Sequence, residues 1–255
     1  MPELQSERDG DITILKLDRP AKRNALSGPL VTELGEFFDA LPKDVRAVVL
    51  AGNGDHFCAG LDLSELKDRD AAEGAEHSRL WHRMFDRIQF GRAPVVAALH
   101  GAVIGGGLEL ACCAHIRVAE PSTFYALPEG QRGIFVGGGG SVRIPRLVGV
   151  ARMTDMMLTG RIFNAEEGER VGFAQYLVGA DEGLPKAIEL AKKIAGNASM
   201  TNYAVTHALP RIAEVGHDGG LFLEAMISGI TQAAPEAKAK VKAFLEGKAK
   251  KVGAE

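Results

Sequence analysis

A glycine cluster followed by an acid carries the strongest chemical signal in this sequence. The apolar run 94–99 leads into Gly105, Gly106 and Gly107, and a helix-like segment with Glu109 follows. Glycines at a helix start leave the first-turn N–H groups without intrahelical partners and without side chains in front of them, so a ligand oxygen can approach. Glu109 lies three residues after Gly106, which places its carboxylate on the same side of a helix. The pattern indicates one pocket wall that holds both an oxyanion donor and a carboxylate.

The same stretch also has a purely structural interpretation, which the residues alone leave open. Three glycines permit close packing of a helix against its neighbours. Glu109 would then be a solvated acid in the first turn, where the helix dipole favours a negative charge.

A second carboxylate, Glu129, follows a short predicted strand over residues 122–126, with Leu127 and Pro128 between them. The carboxyl end of a strand is the usual place for chemistry in an α/β fold. A glycine-rich loop, residues 131–141, comes next and leads into a predicted helix.

The segments around these two acids alternate between strand and helix patterns. Residues 12–17 alternate apolar and polar side chains, residues 45–51 form a continuous apolar run, and an amphipathic helix with Pro29 in its first turn lies between them. This order is typical of an α/β fold. Further strands are predicted over residues 115–119 and 175–178, and further helices over 142–158 and after a cap at Asn164.

A polar stretch, residues 64–76, is expected to be a loop that covers the site. Behind it, five apolar residues recur at helical spacing, which is more typical of core than of a ligand pocket. They are Leu80, Trp81, Met84, Phe85 and Ile88.

The chain from residue 184 onward has helix patterns only, over residues 184–195, 201–215, 220–231 and 235–250. The character of the sequence changes near Gly179. Counting the first of these helices with the α/β part, the sequence predicts a core over residues 1–196 and a helical region over 197–255.

Composition excludes several classes of function. The 255 residues are 46% hydrophobic and 25% charged with a formal charge of −3, which leaves no basic footprint for nucleic acid or an anionic membrane. Residues 1–11 are too polar for a signal peptide, and no apolar run is long enough to cross a bilayer. Cys58, Cys112 and Cys113 show neither a disulfide framework nor metal spacing, so a reducing cytoplasm is expected.

Other enzyme motifs do not fit. Neither glycine cluster matches G-x-G-x-x-G or a P-loop, and no serine stands in G-x-S-x-G. His77 and His82 are five residues apart, which does not place both on one helix face for metal binding. We therefore expect no metal and no nucleotide cofactor.

Several segments taken together resemble the crotonase (enoyl-CoA hydratase/isomerase) superfamily. Each motif is weak alone, but their order and spacing follow the family over nearly the whole chain. The segments are residues 57–63 (FCAGLDL), 101–111 (GAVIGGGLELA) and 126–129 (ALPE), with further similarity at 19–20, 23–26, 158–161 and 165–168.

The resemblance implies a spiral of ββα units, with a C-terminal helical region that forms trimers or dimers of trimers. It also implies an acyl-CoA thioester as substrate, so coenzyme A enters as part of the substrate and no separate cofactor is needed. The backbone N–H groups of Leu61 and Gly106 would form the oxyanion hole. Further implied substrate or coenzyme A contacts are Lys22, Arg23, Ala25, Ala59, Gly60, Asp62, Leu63, Gly105 and Pro128, with Phe244 or Lys248 from a neighbouring subunit.

Both acidic positions of the family's hydratases are present here, as Glu109 and Glu129. The resemblance therefore implies syn hydration of a trans-2-enoyl-CoA, with Glu109 acting on water and Glu129 giving the proton to Cα. The alternatives are isomerisation or C–C cleavage with Glu129 as the main base, or a non-catalytic crotonase-like binding protein. Three departures from the family pattern leave the acyl group and one coenzyme A contact open. They are Leu61 where hydratases have Ala, a loop after Glu129 that lacks its usual proline, and Gly247 where a Lys often follows Phe244.

Overall fold

The computed structural model describes residues 3–65 and 69–248, and it divides into two compact units. The first unit ends at Lys192 and the second begins at Lys193. That division falls close to the predicted limit of the core at residue 196. The role of the second unit in oligomer assembly stays a prediction.

The strands of the first unit form two sheets. In the larger sheet the order is β1-β2-β3-β4-β6-β9, with β1 and β2 antiparallel and all other neighbours parallel, and the smaller sheet has the order β5-β7-β8. The bounds are β1 Leu4–Asp9, β2 Ile12–Leu17, β3 Ala47–Gly52, β4 Val95–Leu99, β5 Ala102–Ile104, β6 Ile116–Ala119, β7 Phe124–Ala126, β8 Phe163–Asn164 and β9 Tyr176–Leu177.

The central strands of the larger sheet are buried along their whole length. Every residue of β4 and all but the last of β3 are buried. Parallel strands covered on both faces read as continuous apolar runs, and this is why their sequences show no alternation. The α/β architecture predicted from the sequence is confirmed.

The helices of the first unit connect and cover these strands. Helix α1 begins after Ser27, whose side chain accepts a hydrogen bond from the Leu30 N–H, and α2 begins with a capping box between Asp70 and Glu73. The bounds are α1 Gly28–Asp39, α2 Ala71–Gln89, α3 Gly106–Ala111, α4 Gly140–Val148, α5 Val150–Thr159, α6 Ala165–Val171 and α7 Gly183–Ala195, the last of which crosses the division between the units.

The second unit is helical. Its bounds are α8 Ser199–Tyr203, a π-helical turn Ala204–Ala208, α9 Leu209–Ile212, α10 His217–Ala233 and α11 Pro235–Leu245. In the described part of the chain, no helix is both long and apolar enough to cross a membrane.

Three predicted elements differ from the structure. Helix α2 begins at Ala71, so the polar stretch 64–76 is helical over its second half; residues 66–68 of that stretch lie outside the described residues. The predicted helix 142–158 is two helices, because Gly149 adopts φ 86° and ψ 151° between them. The predicted helix 201–215 is interrupted by the π-helical turn. Of the predicted helix 235–250, residues 249 and 250 lie outside the described residues.

Helices α1 and α2 pack closely at Gly35. A Cβ built on Gly35 would lie 3.1 Å from Met84 Cβ and 3.2 Å from Met84 Cα, and it would clash with the sulfur. Gly74 in α2 has no neighbouring atom within 4 Å of a Cβ in the same position. These two helical glycines therefore allow a matched comparison of the same substitution at a packed position and at an open one.

We predict that Gly35→Ala lowers the free energy of unfolding by about 1–3 kcal/mol because the helices must separate. Gly74→Ala is expected to raise it by about 0.5–1 kcal/mol, since alanine favours the helix. Urea unfolding followed by circular dichroism measures both. Equal effects of the two substitutions would contradict the packing described for α1 and α2.

Candidate active site

Glu109 is held in a short, buried helix that follows strand β5. Gly105 connects the two elements with φ 53° and ψ −124°, and its N–H donates to Ala126 O at the end of β7. Glu109 lies in the first turn of α3 and is 3% exposed. The structure therefore contradicts the interpretation of Glu109 as a solvated first-turn acid.

The N–H of Leu61 faces away from the strand-like pairing that holds its neighbours. Leu26 N donates to Gly60 O at 2.7 Å, and Asp62 N donates to Leu26 O at 2.9 Å. In a parallel bridge, the residue between two such partners directs its own N–H to the opposite side. No acceptor in the described residues takes a hydrogen bond from Leu61 N.

Gly106 lies next to the Leu61 N–H. A Cβ built on Gly106 would be 3.4 Å from Leu61 N, and one built on Gly60, which has φ +90°, would be 3.2 Å from Gly106 N. Gly106 is the first residue of α3, so its N–H has no partner within the helix. The structure thus brings together the two N–H groups predicted as an oxyanion hole.

Two backbone amides hold the carboxylate of Glu109. The N–H groups of Gly138 and Gly140 donate to Glu109 Oε1 at 2.8 and 2.7 Å. Burial raises the pKa of Glu109 to about 7; the nearby charge of Glu129 adds to the rise, while the two hydrogen bonds and Arg143 oppose it. Glu109 can therefore change protonation state near neutral pH.

Arg143 fixes the loop that supplies those amides. Its Nη1 donates to Gly138 O at 3.0 Å, its Nε donates to Gln89 Oε1 at 2.6 Å, and its Nη2 pairs with Asp86 Oδ1 at 2.6 Å. The guanidinium is buried and links the loop to the C-terminal end of α2. It therefore both positions the Glu109 amides and supplies a positive charge near that carboxyl.

Glu129 approaches the same place from the end of β7. It is buried, and a Cβ on Gly105 would lie 2.5 Å from its Oε1. Its Oε2 is buried without a hydrogen-bond partner among the described residues. Burial raises the pKa of Glu129, and Arg132 opposes the rise. A protonated Glu129 can act as a proton donor.

One cavity of about 90 Å³, here called the site cavity, is lined by both carboxyl residues and by both residues predicted to form the oxyanion hole. Its lining residues are Leu61, His77, Trp81, Gly106, Glu109, Glu129, Ile134, Phe135, Val136, Gly137 and Gly138.

Most of the other predicted contact residues lie on segments next to the cavity. Residues 23–26 pair with 59–62, which brings Arg23 and Ala25 beside Ala59 and Gly60, and Lys22 ends the preceding 3-10 turn. Gly105 touches Glu129, and Pro128 directly precedes it.

Asp62 and Leu63, both predicted as substrate or coenzyme A contacts, differ in their exposure to solvent. Asp62 is buried, pairs with Arg19 at 2.9 Å and accepts hydrogen bonds from Ser64 N and Oγ. The Ser64 hydroxyl is the largest cause that lowers the pKa of Asp62 to about 2, with Arg19 contributing less. Asp62 therefore fixes this segment, while Leu63 is 46% exposed.

Phe244 and Lys248 belong to the second unit. Phe244 is 55% exposed, and Lys248 pairs with Glu246 at 2.7 Å. Their predicted contact with coenzyme A stays a prediction.

The sequence analysis missed three parts of the site. Trp81 was assigned to the core stripe, and it is indeed buried, but it also lines the site cavity together with His77. The amides of Gly138 and Gly140 and the guanidinium of Arg143 were not expected either. The four consecutive glycines 137–140 were the only signal in the sequence, because their partner Glu109 is about 30 residues away.

Comparison with known proteins gives a consistent result. A family model described as enoyl-CoA hydratase/isomerase matches residues 7–252. The chain is 31% identical to a short-chain-enoyl-CoA hydratase of Clostridium acetobutylicum, over 94% of this chain and 93% of the relative. It is 32% identical to a 2,3-dehydroadipyl-CoA hydratase of Escherichia coli, over 96% of each chain.

Solved structures agree with the sequence relatives. A candidate enoyl-CoA hydratase from Rhodopseudomonas palustris is 56% identical, covers 96% of this chain and 95% of its own, and superimposes with a TM-score of 0.94. An enoyl-CoA hydratase from Bacillus anthracis is 28% identical, covers 96% of this chain and 97% of its own, and gives a TM-score of 0.90.

The raised pKa of Glu109 predicts how stability depends on pH. Its pKa is about 7 in the fold, against 4.5 for an unperturbed glutamate, so the folded chain binds more protons between these values and stability falls as pH rises. We compare the free energy of unfolding of the wild type with that of Glu109→Gln at each pH. The difference, wild type minus variant, is expected to fall by about 3 kcal/mol from pH 4.5 to above 7. Urea unfolding across this range measures it. Parallel pH curves for the two proteins would show that Glu109 has an ordinary pKa.

Proposed function

The chain belongs to the enoyl-CoA hydratase/isomerase family, and on this premise we propose that it adds water to a trans-2-enoyl-CoA to give a 3-hydroxyacyl-CoA. One observation carries the proposal: two buried carboxyls with raised pKa values share a cavity with two unpaired backbone N–H groups. The hydratase names of relatives at about 30% identity support it.

The thioester carbonyl is expected to bind at the N–H groups of Leu61 and Gly106. Attack of water on Cβ moves charge onto the carbonyl oxygen, which becomes an enolate. Fixed backbone donors meet that charge without reorganising, and a single donor of this kind contributes about 3–4 kcal/mol in comparable sites. Glycine at position 106 leaves room for the oxygen, whereas any other residue would place a Cβ in contact with Trp81.

Glu109 and Glu129 divide the proton transfers. Glu109 takes a proton from the water as its oxygen bonds to Cβ, and Glu129 gives a proton to Cα as the enolate collapses. One proton is taken and one is given, so the two carboxyls must exchange protonation states before the next turnover. The raised pKa values support this, because Glu109, with a pKa of about 7, can take or release a proton near neutral pH, and burial favours the protonated form of Glu129.

The remaining expectations belong to the same proposal. Coenzyme A enters as part of the substrate and would lie along residues 22–25 and 59–63, with Phe244 or Lys248 from a neighbouring subunit of a trimer or a dimer of trimers. The addition is proposed to be syn, as the resemblance to the family's hydratases implies. The cytoplasmic location expected from the three cysteines stays a prediction.

We predict that the wild type removes the ultraviolet absorbance of an enoyl thioester such as crotonyl-CoA or cinnamoyl-CoA, reversibly. Glu109→Gln and Glu129→Gln are each expected to lower kcat by about 10²-fold or more, since each removes one proton transfer. Gly74→Ala, on the exposed side of α2, is the control and keeps full activity.

The outcomes separate the proposal from its alternatives. Loss of activity in Glu129→Gln alone would contradict hydration with two working carboxyls and favour isomerisation or C–C cleavage. No calorimetric binding of acyl-CoA would contradict an enzyme of this family and favour a binding protein.

A second prediction concerns Arg143, a positioning residue that touches the Glu109 loop and not the substrate. Loss of its charge in Arg143→Met is expected to raise the pKa of Glu109, so the acid limb of the kcat/KM profile moves to higher pH by about one unit. Arg143→Lys keeps a charge and is expected to restore most of the wild-type profile. A purely structural role would lower activity at every pH and leave the limb in place.

A further inference from the structure

The wall of the site cavity formed by α2 carries two buried nitrogen atoms that no group in the described part of the chain satisfies. They are Nε2 of His77 and Nε1 of Trp81, and neither has a hydrogen-bond partner among the described residues. Buried polar atoms are nearly always paired in proteins, so two unpaired atoms on adjacent turns of one helix call for an explanation. Both residues line the cavity that also contains Glu109 and Glu129.

The two rings lie on one face of α2, one turn apart. Their centroids are separated by 5.7 Å with an interplanar angle of 43°. Trp81 is 4% exposed, and burial is the main cause that lowers the pKa of His77. The His77 imidazole is therefore neutral at pH 7, and the pair offers one fixed N–H donor from Trp81 and one nitrogen of either role from His77.

The orientation of Trp81 places its nitrogen away from the reacting centre. A Cβ built on Gly106 would lie 3.0 Å from Trp81 Cζ3, and one on Gly138 would lie 3.1 Å from Trp81 Cε3. These carbons form the benzenoid edge, which thus faces the oxyanion hole and the Glu109 loop. Nε1 is on the opposite edge of the indole, away from those two groups, so a ligand atom that reaches it would lie beyond the reacting end of the substrate.

Charge in the cavity disfavours an anionic group on that chain. Among the described residues that line the cavity there is no Lys or Arg, and two of them are carboxyls. Arg143 and Arg132 act on those two carboxyls and Arg69 acts on His77, but none of the three lines the cavity. A carboxylate on the acyl chain would therefore be buried beside two acids without a cation in direct contact, which is costly. A hydroxyl group suits the two nitrogen atoms better. Its oxygen can accept a hydrogen bond from Trp81 Nε1, and the group can donate a hydrogen bond to His77 Nε2 or accept one from it.

We propose that His77 and Trp81 select enoyl-CoA substrates whose acyl chain bears an uncharged hydroxyl or carbonyl oxygen beyond the double bond. The inference rests on the proposed function and names its substrate class. A hydrocarbon chain leaves both nitrogens buried and unpaired, whereas an oxygenated chain satisfies them.

The test compares substrates that share the same reacting end. The reference is trans-2-hexenoyl-CoA, and the probes are its analogues with a hydroxyl on carbon four, five or six, together with trans-2-hexenedioyl-CoA as the anionic probe. At least one hydroxylated probe is expected to exceed the reference in kcat/KM by about tenfold, and the anionic probe is expected to fall below that hydroxylated probe.

Three variants assign the preference to the two nitrogens. Trp81→Phe and His77→Phe each keep a planar ring and remove the nitrogen. Each is expected to lower the ratio of kcat/KM for the preferred hydroxylated probe to kcat/KM for hexenoyl-CoA by about fivefold or more. His217→Phe, at an exposed position at the start of α10, is the matched control and keeps the wild-type preference. If Trp81→Phe does not fold, His77→Phe decides the result.

Failure of the proposed substrate preference can be distinguished from failure of the proposed hydration. Turnover without preference for any hydroxylated probe, or a preference that both variants retain, overturns this inference and leaves hydration in place. If no enoyl-CoA is turned over, calorimetry with hydroxyhexanoyl-CoA isomers and hexanoyl-CoA applies the same comparison to binding. Tighter binding of a hydroxylated isomer that Trp81→Phe or His77→Phe abolishes supports the inference even though hydration fails, and equal binding overturns it.

Discussion

The pair of hydrogen bonds from Gly138 and Gly140 to Glu109 Oε1 is the interaction on which the site depends. A carboxyl that is 3% exposed would lose most of the stabilisation that water gives its ionised form. Two short amide hydrogen bonds return part of it and leave the pKa near 7 rather than far above. The same bonds hold the carboxyl in place at the edge of the cavity, so they influence both its pKa and its position.

This arrangement requires a chain that brings distant backbone segments into contact. Arg143 ties the loop over residues 137–140, which reaches Glu109, to Gln89 and Asp86 at the end of α2. On the other side, the pairing of segments 23–26 and 59–62 helps to hold Leu61 N beside Gly106. Glycines at these contacts are steric necessities, since a Cβ on Gly105 would meet the Glu129 carboxyl. The site is thus built mostly from backbone, and side chains complete it.

The cavity is lined by two groups of residues that lie in contact. The two carboxyls and the N–H groups proposed as an oxyanion hole belong to the segments that resemble the family, at residues 57–63, 101–111 and 126–129. The rest of the lining comes from α2, through His77 and Trp81, and from residues 134–138. Trp81 lies beside Gly106 and Gly138, and α2 holds Arg143 through Asp86 and Gln89, so a change in α2 also reaches the groups that hold Glu109.

The sequence by itself determined what depends on near neighbours in the chain. The apolar runs of β3 and β4, the cap at Asn164 and the three-residue spacing from Gly106 to Glu109 are local, because strand and helix periods and capping need only adjacent residues. The start of α2 is local as well, since the capping box of Asp70 and Glu73 marks it in the sequence. Only the tertiary structure decided that Trp81 serves the cavity as well as the core, and that Arg143 supports Glu109. Those outcomes depend on contacts between residues that are far apart in sequence, and on the burial that those contacts create. The pKa of Glu109 belongs to the same class, since desolvation is a property of the assembled fold and not of any short segment.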